Sequence, residues 1–148
     1  MAIGKRLKSL VDRMRPIDQP PSPWRPFDAP YPLLSSFDPA SGGVAPSQGL
    51  LAIWHLGVRP QWLKVAPVSN LQLAIRGAAQ SESILFFRPN GGVYLAWAAV
   101  QSPALIVNAL FLVQKLRPAL QAVPLAGEIE LPDNLKPLEF SLPPGTVE

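Results

Sequence analysis

The chain has 148 residues, 48% of them hydrophobic, with 19 prolines, no cysteine and a formal charge of +3. Such a length suits one domain with extensions, and the missing cysteine excludes disulfides, thiolate chemistry and Cys-type zinc sites. Lys5, Arg6, Lys8, Arg13 and Arg15 against Asp12 leave residues 1–15 at +4. Arg59, Lys64, Arg76, Arg88, Lys115 and Arg117 against Glu82 leave the middle at +5; Glu128, Glu130, Asp133, Glu139 and Glu148 against Lys136 leave the last 28 residues at −4. Charge separated in this way favours head-to-tail contact between copies or clamping of the tail on its own core, against the plainer reading of two solvated termini.

In residues 1–15, Ile3, Leu7, Leu10, Val11 and Met14 recur at helical spacing with the basic residues mostly opposite, which predicts an amphipathic basic helix ended by Pro16. Docking on a protein partner suits so short a helix better than independent stability does. Residues 16–48 read as a Pro-rich extended arm, since proline locks φ and removes an amide donor. Disordered linkers are poor in aromatics. This arm spaces Trp24, Phe27, Tyr31 and Phe37 along a stiff backbone, as a chain does when it seats side chains in pockets of its own core or of a neighbour.

Residues 49–121 read as a small α/β (α+β) core: a three-stranded, mainly antiparallel sheet flanked by helices. Gly49–Leu56 is an apolar strand, Gly57–Gln61 a turn, and Trp62–Ala66 a second strand completing a hairpin. Ser69 is an N-cap candidate before Leu71, Ala74, Ile75 and Ala78 at helical spacing. Ile84–Phe87 reads as a short strand, Pro89–Gly92 as a tight turn, and Val93–Val100 as an alternating strand. Ser102 as N-cap and Pro103 as first-turn proline open a mostly apolar, buried helix closed by Pro118. Residues 122–148 form an acidic, Pro-rich tail with Leu125, Ile129, Leu131, Leu135, Leu138, Phe140 and Leu142 as anchors. It serves as a strap over the parent core or as a grip on a neighbour.

The order strand, strand, helix, strand, helix resembles the GIY-YIG nuclease domain over roughly Gly49 to Gln121. Gly49-Leu50-Leu51 stands where that family has Gly-Ile-Tyr, and Lys64-Val65-Ala66 where it has Tyr-Ile-Gly. Asn70-Leu71 and the basic, proline-ended run Gln114–Pro118 also match. The resemblance implies a nuclease-derived fold, but its catalytic set does not carry over. The tyrosines would be Leu51 and Lys64, the arginine Ala74, and the metal-binding glutamate Asn108 or Ala109. Hard cations want carboxylate oxygens, and Glu82 lies between the first helix and the third strand, away from that position. The resemblance then implies a degenerate copy kept as a scaffold.

From Gly49 to Leu120 there is one carboxylate, Glu82, and one histidine, His55, too few groups for acid–base, hydrolytic-metal or nucleophilic chemistry. His55, between Trp54 and Leu56 in a strand, reads as a packing histidine. Gly91-Gly92 is no phosphate cradle, because no Lys-Ser/Thr pair or helix follows it. No apolar stretch approaches the roughly 20 residues of a membrane span, so the expectation is cytoplasmic synthesis and no membrane partner.

The reading that follows is a non-catalytic interaction protein, without cofactor, in a larger assembly whose partners are other protein subunits or copies of itself. A tailed-phage virion or related particle is the expected kind. Trp24, Phe27, Tyr31, Phe37, Leu135 and Phe140 are the expected partner anchors. The rival is nucleic-acid binding, with Arg59, Lys64, Arg76 and Arg88 neutralising phosphates.

Overall fold

The computed structural model describes residues 22–26 and 30–144; the expected helix in residues 1–15 and the anchor Phe27 lie outside them. Three strands form one antiparallel sheet in the order β2-β1-β3, with β1 at Gly49–His55, β2 at Gln61–Val68 and β3 at Val93–Ala99. Helices α1 (Leu71–Ala78) and α2 (Glu82–Leu85) cover one face, and α3 (Ala104–Leu116) covers the other. This is the small α+β fold expected from the apolar runs. Covering both faces explains why central β1 is buried at every position and reads as a continuous apolar run.

Alternation along the strands builds the two cores. Leu51, Ile53, Leu63, Leu95 and Trp97 point towards α1 and α2, where they meet Leu71, Ile75 and Ile84. Leu50, Trp54, Trp62, Val65 and Ala96 point towards Leu105, Ala109 and Leu112 of α3. A bulge at Leu63, where the β1–β2 register slips between Ile53 and Trp54, breaks the alternation, so that Leu63 and Val65, two residues apart, face opposite sides. Gly49 accommodates the neighbouring strand: a Cβ there would collide with the Ala98 carbonyl oxygen.

Three local expectations need correction. Ile84–Phe87 is not a strand. Ser81 Oγ accepts the Ile84 N–H at 3.5 Å and opens the helical turn α2, which buries Ile84. The N-cap of α1 is Asn70, whose Oδ1 accepts the Leu73 N–H at 3.1 Å; the Ser69 N–H donates instead to the Gly127 carbonyl at 2.9 Å. Ser102 does not cap α3, because its N–H and hydroxyl both donate to Gln48 Oε1, at 2.7 and 3.0 Å. At the other end of α3, Arg117 turns left-handed at φ 52° before Pro118, and its N–H donates to the Val113 carbonyl.

Arm and tail complete the sheet. The arm runs along β3, where Arg25 and Trp97 exchange backbone bonds of 2.7 and 2.9 Å and Leu95 N–H donates to the Pro32 carbonyl at 3.3 Å. Along β2, Ala119 and Leu120 donate to the carbonyls of Trp62 and Leu63, and Ile129 donates to that of Pro67. Between them the Gln121 side-chain amide takes the place of a strand residue. Its Oε1 accepts Val65 N–H at 3.2 Å and its Nε2 donates to Val65 O at 2.7 Å. Open strand edges invite pairing with other chains, and here both are occupied from within. Among the described residues no helix is long and apolar enough to cross a membrane.

Candidate interaction surface

Four of the expected partner anchors are seated on the parent core. Trp24 is 1% exposed, donates Nε1–H to the Ser141 carbonyl at 2.8 Å and meets the Phe140 ring edge-on at 6.0 Å. Tyr31 packs on Trp54 at 5.7 Å, and Phe37 on Trp97 at 5.4 Å. Trp24 and Phe140 join arm to tail across the α3 face, so these rings lie in pockets of their own chain. Leu135 differs, being 44% exposed beside a shallow groove.

The four expected phosphate contacts separate. Lys64 is fully buried and is no surface cation: its Nζ donates to the Gln121 carbonyl at 2.6 Å and to Glu128 Oε2 at 2.8 Å. It fastens the tail to β2. Arg76 is exposed on α1. Arg59 and Arg88 are exposed at one end of the sheet, flanking the turns that lead into β2 and β3. The C-terminus of α3 brings Lys115 and Arg117 to the same end. Among the described residues Arg59, Arg88, Lys115 and Arg117 make no ion pair.

Two clefts flank this end and share Gln61. One, of about 670 Å³, is lined by His55, Arg59 and Gln61 and by the turn Pro89–Gly91. The other, of about 590 Å³, is lined by Trp62, Lys115, Arg117 and Leu142. No carboxylate lines either cleft. His55 is 2% exposed and stacks on Phe87 at 5.0 Å. Its Nδ1 accepts the Gly57 N–H at 3.2 Å, which leaves Nε2 to carry the proton and donate to Gln61 Oε1 at 3.0 Å. With both nitrogens engaged, it is the packing histidine its strand position suggested. Among the described residues no group of three or more His, Asp or Glu side chains could hold a metal ion.

Leu51 and Asn108, which the sequence resemblance pairs with the nuclease catalytic set, lie on opposite sides of the sheet. Leu51 faces the α1 side, whereas Asn108 packs beyond the opposite face with Nδ2 donating to the Leu138 carbonyl at 3.1 Å. Comparisons with protein families, with characterised proteins and with solved structures find no match to this chain.

Apolar side chains crown the cationic end. Val58 is fully exposed at 103%, Phe86 is 77% exposed and Leu56 is 37% exposed. The segments that carry them touch: a Cβ on Gly57 would lie 2.9 Å from Asn90 Cβ, and Gly91, at φ 85°, lies against the Leu56 carbonyl. Sequence reasoning missed Val58, Phe86, Lys115 and Arg117. A β-branched residue inside Gly57–Pro60 was a signal, since turns favour small and polar residues. So was Phe86-Phe87, because only one of two adjacent rings could turn inwards to His55.

Proposed function

We propose that the chain is a non-catalytic interaction protein of a larger assembly and that the hairpin end is its partner-binding surface. The observation that carries this is the gathering of exposed Val58 and Phe86 with the cations Arg59, Arg88, Lys115 and Arg117 on the segments at one end of the sheet. Apolar area supplies association free energy, and rim charges supply orientation and steering. A partner with an apolar recess and carboxylates at its rim complements that end. Our candidate assembly is a particle of repeated subunits, such as a tailed-phage virion, in which the nuclease-like core serves as scaffold. Clefts without carboxylates and a histidine engaged at both nitrogens support the non-catalytic part.

The test is the native mass of the complex retained by the full chain. Val58→Ser with Phe86→Ser is expected to lose at least tenfold in retention, while a change at exposed Leu73, on α1, leaves it unaltered. Equal retention by both variants, or a wild type that is a lone monomer under assembly conditions, contradicts the proposal. The clustered cations also favour a second reading, contact with nucleic-acid phosphates. A salt-sensitive shift of labelled DNA, abolished by Arg59→Ala with Arg88→Ala, would select it. Metal-dependent nicking of plasmid DNA by the wild type would end the non-catalytic reading.

A further inference from the structure

The tail bears a surface opposite in character to the hairpin end. Ile106 of α3 and Ile129, Leu131 and Leu135 of the tail floor a groove of about 510 Å³, with Glu130 and Asp133 also lining it. Both carboxylates are exposed. At one end, then, apolar knobs stand among cations; at the other, an apolar recess stands among carboxylates.

We propose that the groove receives the hairpin end of a second copy, Val58 and Phe86 entering the recess while Arg59 and Arg88 meet Glu130 and Asp133. The proposal rests on the hairpin end being a partner surface, and it names the partner. Within one molecule the two surfaces cannot meet. The hairpin turn enters β2 at Gln61, whereas Ile129 is bonded to Pro67, near the far end of this eight-residue strand. Eight strand residues span about 25 Å at roughly 3.3 Å each. The contact therefore joins unlike surfaces of two copies, and such heterologous contacts propagate into rings or filaments. Edge-to-edge sheet pairing offers no competing route, because arm and tail already occupy β3 and β2.

Sedimentation velocity of the full chain reads this contact. At low ionic strength the wild type is expected to form species larger than dimers that grow with concentration. They should dissolve in about 1 M salt, where the screening length falls to about 3 Å. Glu130→Lys with Asp133→Lys should abolish growth, and Arg59→Glu with Arg88→Glu should do the same. All four side chains are exposed, so circular dichroism should show both variants folded. An equimolar mixture of the two should regain growth, since each variant then presents the complement of the other's altered surface. A wild type that stays monomeric, reversals that associate normally, or a mixture that does not recover would each overturn the contact. If those results came while Val58→Ser with Phe86→Ser still released the native complex, the hairpin end would serve a different protein. If the complex were also unaffected, both readings would fall.

Discussion

Lys64 and Glu128 show what a single charge does inside this sheet. Taking an ammonium out of water costs several kcal/mol unless its donors are met, and here a carbonyl and a carboxylate meet them. Removing the partner should therefore hurt more than removing the charge. Glu128→Ala is expected to cost about 3 kcal/mol, the low end for a broken buried pair because the carboxylate is partly exposed. Lys64→Met should cost less, since it leaves no buried charge behind. Urea unfolding of the two variants checks the order, and the reverse order would refute the buried-pair account. Trp24 gives a second comparison. Trp24→Phe keeps a ring beside Phe140 but loses the bond to Ser141, for about 1 kcal/mol, whereas Trp24→Ala should cost about 3–5 kcal/mol. Equal midpoints for both would mean that the ring contact contributes nothing. In sequence Lys64 reads as one more cation in a basic core. Its isolation among Trp62, Leu63, Val65 and Ala66 was the mark of burial, but nothing local named Glu128, 64 residues away, as its partner.

Among the elements, the edge of β2 depends most on one side chain. Gln121 satisfies both backbone groups of Val65, so Gln121→Ala leaves a donor and an acceptor without partners. The expected loss is about 1–3 kcal/mol, with faster amide exchange at Val65 and a greater tendency to aggregate. Gln121→Glu should be no better, because a carboxylate cannot donate to the Val65 carbonyl. Unchanged exchange at Val65 in either variant would show that the edge is held by its flanking bonds alone. The strands and the two longer helices were legible because alternation and helical spacing act within a few residues. The turn α2 was not, since Ile84-Leu85-Phe86-Phe87 has no period and Ser81 three residues before Ile84 was the only cue. Gln121 was invisible for a different reason. A side chain standing in for backbone leaves no repeating pattern.

At the scale of the molecule, the extensions close the fold and the ends of the sheet carry its opposed charges. Arm and tail were legible as stiff, aromatic-bearing segments, but whether their pockets belonged to the parent chain or to a neighbour depended on contacts far apart in sequence. The structure seats Trp24, Tyr31, Phe37 and Phe140 at home, and in our proposal the partner-binding role therefore passes to the hairpin end. Amide hydrogen exchange of the full chain, alone and in its native complex, tests that transfer most directly. Residues 24–25, 31–33 and 119–129 should be equally protected in both states, while 56–59 and 86–91 should slow only in the complex. Arm and tail gaining protection on assembly, with the hairpin end unchanged, would contradict it.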